Sequence, residues 1–282
     1  MSKLSIPVKS KRLLILIPAY NEQGAIRQVI NSVRATVPFA DVLVVDDGSR
    51  DNTAQEATAA GALVLRHPFN LGIGGTVQTG LKFALQGNYD LVIRLDGDGQ
   101  HNAADILPIY ATLQSQQADI VFGSRFLSDE ATMPIALPRR IGIRLFSLAV
   151  SWLTGQRATD TTSGLYGLNR RAITLLAIYM PQDYPEVESR VICHKAGLTS
   201  LELPVRMRSR LSGESSIDTW RSIYYAFKVS VAVLITAFKD IPVLPKEMIA
   251  HAYPDRAASH GHYSQPYLVA GDGSADSKAQ AS

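Results

Sequence analysis

The chain has 282 residues, 46% hydrophobic and 19% charged, which is enough to bury a large α/β core. A formal net charge of +3, with no long Lys/Arg block early in the chain, gives no basis for nucleic-acid binding. One cysteine, Cys193, excludes an internal disulfide and fits a reducing compartment; it reads as a half-buried helix residue.

The N-terminus, MSKLSIPVKSKRLLILIPAYNE, places basic residues before an apolar run, as a secretory leader would. That run is only LLILI, cut by Pro18 and the polar Asn21-Glu22, with no small-residue cleavage site after it. It reads as a first strand, Leu13–Ile17. Further strands are expected at Val42–Val45, Ala62–Leu65, Leu91–Leu95 and Asp119–Phe122, with helices at Glu22–Arg34, Thr53–Ala60, Gly75–Leu85 and Ala104–Gln114. Such alternation predicts an α/β fold, a mostly parallel sheet with helices on both faces. Then Met133–Leu153 reads as a basic helix, Ser163–Leu168 as a strand, Glu186–Ala196 as a helix and Leu198–Val205 as a strand.

Thr219–Phe238, TWRSIYYAFKVSVAVLITAF, is aromatic at its start and aliphatic at its end. A spanning helix needs roughly 20 mainly apolar residues, and Arg221 and Lys228 interrupt this one. The expectation is an amphipathic helix on the membrane surface; packing on the protein's own core or on another subunit is the alternative. After Pro245 the chain is polar, and residues past 255 are expected to be disordered. The expected organisation is therefore an α/β domain at 1–217, the amphipathic segment at 218–245 and a flexible tail at 246–282.

The chemistry concentrates at strand ends. LVIRLDGDGQH closes an aliphatic strand with Asp96, Gly97, Asp98, Gly99 and Gln100, an oxygen-rich tip suited to a hard divalent cation. VLVVDDGSRDNT delivers Asp46 and Asp47 to the same edge of the sheet, where ligands of open α/β sheets bind. Gly48 and Ser49 are explained by a turn and a capped helix; two adjacent acids behind a buried strand are not. NLGIGGTVQTG invites a phosphate-loop reading but fails two templates. Val77 stands where a dinucleotide fingerprint needs glycine, and Gly80-Leu81-Lys82 is not a P-loop ending. A close-packed helix start beside a ligand is the better reading. In LPVRMRSRLSGESS, an extended strand would point Arg206, Arg208 and Arg210 to one face. They could grip a lipid phosphate or an anionic membrane, with Arg139, Arg140 and Arg144 extending the surface, or form a solvated edge that discourages strand pairing. His67, His101 and His194 lack the paired spacing of metal ligands.

PAYNE (18–22), VDDGS (45–49), NLGIGG (70–75), DGDGQH (96–101), GSR (123–125), DTTSGLYGL (160–168) and RLSGESS (210–216) occur in this order. The chain resembles the family 2 glycosyltransferases of GT-A fold, particularly their dolichol-phosphate mannosyltransferase-like, polyprenyl-phosphate branch, over residues 12–217. The resemblance implies that Pro18, Ala19, Tyr20 and Glu22, with Asp46 and Asp47, hold the nucleoside of a nucleotide-sugar donor. It implies that Asp96, Gly97 and Asp98 form the DxD motif that holds Mg²⁺ or Mn²⁺, with Gln100 a further ligand. Arg125 and Arg210 match basic residues near the sugar and the acceptor phosphate, Ser163 and Gly164 the acceptor loop, and Glu188 an acid of the acceptor region. Asp98, Glu188 and Arg210 are the expected catalytic residues.

The implied reaction is inverting, metal-dependent transfer of a sugar from a nucleotide-diphosphate sugar to a polyprenyl phosphate. It would run at the cytoplasmic face of a membrane, in cell-wall or polysaccharide biosynthesis, with a homo-oligomer possible. A phosphate monoester, with a second pKa of about 6, is largely dianionic near neutral pH and needs no base. A saccharide or lipid-linked hydroxyl acceptor, the first alternative, would need one, and Asp183, Glu186 and Glu188 in QDYPEVES are the candidates. The same acids would also suit the first turn of a helix. A nucleotidyltransferase, the second alternative, usually has a Gly-rich, Arg/Lys-containing loop after its first strand, which PAYNEQGA does not supply. A non-enzymatic scaffold is disfavoured because the metal-site carboxylates are all present. Many members of the branch carry two or more spanning helices after the catalytic domain; this chain has at most one interrupted apolar segment.

Overall fold

The computed structural model describes residues 11–127 and 137–207, together with Ile235, Thr236, Phe238 and Lys239. In chain order the elements are β1 (Leu13–Ala19), α1 (Ile26–Thr36), β2 (Asp41–Asp46), α2 (Thr53–Ala59), β3 (Leu63–Arg66), α3 (Gly72–Gln86) and β4 (Leu91–Arg94). A 3-10 turn at Ala103–Asp105 leads into α4 (Ile106–Gln114), then β5 (Ile120–Ser124), α5 (Leu137–Thr154), β6 (Tyr166–Asn169), α6 (Arg170–Tyr179), α7 (Pro185–Lys195) and β7 (Ser200–Pro204).

The strands form one seven-stranded sheet in the order β3-β2-β1-β4-β6-β5-β7. All neighbours run parallel except β6, which is antiparallel to both β4 and β5. β1 is buried along its whole length, so its alternating side chains feed two separate apolar layers. Leu14 and Leu16 pack with Val77 and Leu81 of α3 and with Ile173 and Leu176 of α6. Leu13, Ile15 and Ile17 pack with Ile26, Ile30 and Val33 of α1 and with Ile106, Ile109 and Leu113 of α4. Burying one such aliphatic side chain is worth about 1.5–3 kcal/mol, so two filled faces account for the position of the sheet at the centre. A smaller third cluster joins Phe146 and Val150 of α5 to Tyr184, Val187 and Val191 of α7.

The sequence reading did not foresee α6. RRAITLLAIY begins directly after β6, and Asn169 caps it by accepting a hydrogen bond from Ala172 N at 3.1 Å. The glycines of α3 serve packing, as expected of a close-packed helix start. A Cβ on Gly80 would enter the Leu16 side chain, and one on Gly74 would enter the backbone of Pro181 and Gln182. Arg208, Arg210, most of Thr219–Phe238 and the tail from 246 lie outside the described residues.

Strand order reverses at β1, with β2 on one side and β4 on the other. The crevice beyond the carboxyl ends of these strands is where a ligand fits an open α/β sheet. Pro18–Tyr20 and Asp96–Asp98 emerge there side by side, at the ends of neighbouring strands.

Candidate active site

A cleft of about 440 Å³ opens at this point. Pro18, Ala19, Tyr20, Glu22 and Asp47 line it together with Asp96, Gly97, Asp98 and Gln100, Gly97 lying close against Pro18 O and the Glu22 side chain. Asn70, Gly72, Ile73 and Thr76 at the start of α3 line it too, and Arg94, Arg125, Thr162, Gly164, Glu186 and Met207 complete its wall.

The first two motifs are stitched together by their backbones. Asp47 N donates to Ala19 O at 2.8 Å, Asn21 N to Ser49 Oγ at 2.9 Å and Arg50 N to Asn21 Oδ1 at 2.9 Å. Asn21 takes a left-handed conformation, φ 55°, that asparagine tolerates better than most residues. Asp47 then fixes the start of α3. Its Oδ1 accepts from Leu71 N and its Oδ2 from Gly72 N, both at 2.9 Å, while His67 Nδ1 lies 2.8 Å from Oδ1. Asp46 behaves differently. As the last residue of β2 it pairs in register with Arg66 of β3, whose Nε is 3.1 Å from Asp46 Oδ2, and its Oδ1 accepts from Ser49 N at 3.0 Å. The carboxylate is completely buried and is not part of the cleft wall. Of the two adjacent acids, the structure brings Asp47 to the cleft and uses Asp46 to hold the loop.

Asp96 is held from both sides. Arg94 Nη2 donates to its Oδ1 at 2.5 Å, and His101 Nε2 lies 3.0 Å from its Oδ2. Asp98, nearly buried, accepts from Gln100 N at 3.0 Å. The donor set consists of hard oxygens: two carboxylates and the Gln100 carboxamide on one wall. Among the described residues no three His, Cys, Asp or Glu side chains make a closed cage. Mg²⁺ and Mn²⁺ use one or two carboxylates and take remaining ligands from substrate phosphates and water. The residues therefore fit such an ion. His101 contributes by orienting Asp96, the part that outer partners of metal ligands play.

Arg94 is the functional residue that sequence reasoning missed. It ends β4 almost fully buried, and besides Asp96 it donates through Nη1 to Gly164 O at 2.9 Å and to Glu186 Oε1 at 3.0 Å. Burial alone would lower its pKa, but Asp96 and Glu186 outweigh that and raise it, so the guanidinium stays charged. The signal was present: an arginine inside LVIRLD, a buried strand, requires carboxylate partners. Glu186 thus sits in the cleft wall. Glu188 does not: its Oε2 accepts from Thr236 Oγ1, on the far side of the α7 helix start. Two residues along a helix are about 200° apart, so only one of the two acids can face the cleft.

Arg125 lines the cleft edge, but its guanidinium is already engaged. Nε and Nη2 donate to Asp160 Oδ2 and Oδ1 at 2.6 and 2.8 Å, and Nη2 also to Thr162 Oγ1 at 2.6 Å. Burial would raise the Asp160 pKa, yet its hydrogen bonds to Arg125 outweigh burial and hold it below the usual carboxylate range. Gly164 lies against the acids: a Cβ there would strike Asp96 Oδ2 and come within 2.6 Å of Arg94 Nη1. Ser163 is buried beside it, Oγ accepting from Leu165 N, and is not in the wall. Met207 returns the chain to the cleft through a bridge to His101. Arg210 follows three residues later, outside the described residues.

Comparison with known proteins agrees with this architecture. Residues 14–174 match the model of glycosyl transferase family 2. The chain is 27% identical over 244 residues to a UDP-N-acetylglucosamine–dolichyl-phosphate N-acetylglucosaminyltransferase of Methanococcus voltae, covering 80% of this chain and 96% of that one. It is 29% identical over 215 residues to an undecaprenyl-phosphate mannosyltransferase of Micrococcus luteus, covering 73% and 88%. Among solved structures, glucosyl-3-phosphoglycerate synthase from Mycobacterium tuberculosis, in complex with Mn²⁺, UDP-glucose and phosphoglyceric acid, superposes with a TM-score of 0.61 at 20% identity. That match covers 81% of this chain and 80% of the other. The fold is GT-A. The chain belongs to glycosyl transferase family 2 and is a glycosyltransferase.

Proposed function

We propose that this enzyme transfers a sugar, with inversion, from a nucleotide-diphosphate sugar to a polyprenyl phosphate, using Mg²⁺ or Mn²⁺ held by Asp96, Asp98 and Gln100. The observation that carries this reading is the gathering of Asp96, Asp98 and Gln100 in one cleft with Pro18–Tyr20 and Asp47. The activities of the two relatives support the acceptor class.

Each part of the wall has a task in the reaction. Tyr20, Glu22 and Asp47 bind and orient the nucleoside, on a loop stiffened by Asn21 and Ser49; Asp46 supports it from beneath. A bound divalent cation would supply Lewis-acid stabilisation of the departing nucleoside diphosphate. Arg94 keeps Asp96 and Glu186 in fixed positions and offsets part of their charge. Glu186, with one oxygen on Arg94, presents its carboxylate to the cleft where sugar hydroxyls would donate to it. Arg125 and Thr162 bound the acceptor side, with Arg210 entering from the segment beyond Met207. The acceptor phosphate attacks the anomeric carbon as an anion already, so no residue need remove a proton. Membrane attachment through 218–245 and an inner-face location belong to the same reading. No helix among the described residues is long and apolar enough to cross a membrane.

The test is incubation of the full chain with long-chain polyprenyl phosphate, Mn²⁺ and a panel of labelled nucleotide sugars. A product hydrolysed by mild acid, of anomeric configuration opposite to the donor, is expected. An acid-resistant glycoside would instead favour a hydroxyl acceptor, with Glu186 as the base. Retained configuration, or no transfer from any donor, would overturn the proposal.

A further inference from the structure

The outer face of α5 plays no part in the cleft. The helix buries Ile143, Phe146, Ser147, Val150 and Thr154 and turns Leu145, Leu148 and Trp152 outward, Trp152 with 83% of its surface exposed. Spacings of three and four place these three on one stripe, opposite the buried one. An isolated exposed leucine needs no explanation, but a stripe of large apolar residues around an open tryptophan marks a contact surface. Arg144, also exposed, flanks it. In sequence the helix carries Arg139, Arg140 and Arg144 and no acidic residue. The buried face of α5 rests on a second element. α7 packs on α5 through Tyr184, Val187 and Val191, and it also holds the C-terminal fragment. There Thr236 donates to Glu188 and Lys195 to Lys239 O, and Phe238 stands 86% exposed.

We propose that the Leu145–Leu148–Trp152 face of α5 docks the enzyme on the surface of a lipid bilayer with anionic headgroups. The apolar stripe enters the headgroup boundary, where tryptophan is favoured, while the Arg144 stem lies along it and its head meets lipid phosphates. Charge selects this occupant. A helix with three cations and no anion complements an anionic surface, whereas a second copy would bring like charges together. The inner side of the same helix holds the loop that leads to the cleft edge. Ser147 Oγ donates to Thr159 O at 3.1 Å, Ala158 N donates to Ser151 Oγ at 2.9 Å, and the next residue, Asp160, holds Arg125 at the cleft edge. The docking face and the acceptor wall are two sides of one helix–loop unit. The proposal draws its purpose, though not its geometry, from the lipid-phosphate reading above.

The test uses the full chain and vesicles of phosphatidylcholine, with and without a third of phosphatidylglycerol. The wild type co-sediments with the anionic vesicles, and this binding weakens with salt. A variant carrying Leu148→Glu and Trp152→Glu loses about tenfold or more in partition coefficient. It keeps wild-type transfer to a short, water-soluble prenyl phosphate, since neither residue touches the cleft. In Trp220→Phe, which leaves Trp152 as the remaining one of two tryptophans, brominated lipids quench the fluorescence. Undiminished vesicle binding by the double variant, or a Trp152 that brominated lipids leave unquenched, overturns the proposal. So does a dimer that the double variant dissociates in sedimentation velocity without any vesicle binding. If the acceptor proves to be a hydroxyl while the double variant still loses vesicle binding, docking stands and the acceptor reading alone fails.

Discussion

Replacing Arg94 by methionine keeps most of the side-chain volume and deletes the cation that ties three parts of the cleft together. The guanidinium bonds Asp96 at 2.5 Å, Glu186 at 3.0 Å and the Gly164 carbonyl at 2.9 Å. Removing one partner from a buried ion pair costs about 3–5 kcal/mol, because the other charge is left uncompensated. Here the Asp96 and Glu186 side chains are 33% and 20% exposed, so water relieves part of that cost and about 3 kcal/mol is expected. For a chain of this size each kcal/mol lowers Tm by about 2–4 °C, which gives a fall of about 6–12 °C by calorimetry. Glu186→Gln in the Arg94→Met background should then destabilise less than in the wild type, with a coupling of about 1 kcal/mol. An Arg94→Met protein melting within about 2 °C of wild type, or additive effects of the two substitutions, would refute the keystone role.

Three further outcomes are expected. Gly164→Ala pushes a methyl group into Asp96 and Arg94; a displacement of about 1 Å at such a site costs about 10²-fold in kcat/KM, and unchanged kinetics would contradict the close packing. Arg125 holds the Asp160 carboxylate below its ordinary range. The stability this pair contributes is therefore fully present above the unfolded pKa of about 3.9 and lost as pH falls through the lower folded value. Asp160→Asn lacks that contribution at neutral pH, and its urea midpoint should fall less than the wild type's on acidification below about pH 4; parallel curves would argue against the pairing. Burial pushes the Cys193 thiol up to about 12, so iodoacetamide at mildly alkaline pH should alkylate it slowly in the native protein and rapidly in urea. Rapid native alkylation would show that α7 is not packed as described.

Strands and helices with strong periodicity were legible in the sequence because burial on two faces demands aliphatic runs of recognisable length. β1, β2 and β4 fall where LLILI, VLVV and LVIR stand. The antiparallel insertion of β6 between β4 and β5 was not legible, since YGLN carries nothing that fixes the direction of its strand. α6 was hidden because RRAITLLAIY runs on from β6 without a loop. In the site, position at a strand end pointed to the acids but not to the direction each one faces. Asp46 and Asp47 are neighbours with opposite fates, and Glu186 and Glu188 differ by two residues on a helix. Arg125 was read as a phosphate ligand; whether it keeps a donor for the acceptor depends on Asp160, thirty-five residues away and invisible to local reasoning. Arg94 carried its own signal, a charge in a buried strand, and a census of such violations would have found it.

The most direct measurement is a titration of Mn²⁺, followed by electron paramagnetic resonance, in the presence of a panel of nucleoside diphosphates. It should be run on the wild type, Asp98→Asn and Asp96→Asn. Saturable binding that one nucleoside diphosphate tightens, and that either substitution weakens by about tenfold or more, is the expected result. Mn²⁺ binding that is indifferent to both carboxylates and to every nucleotide would contradict the account.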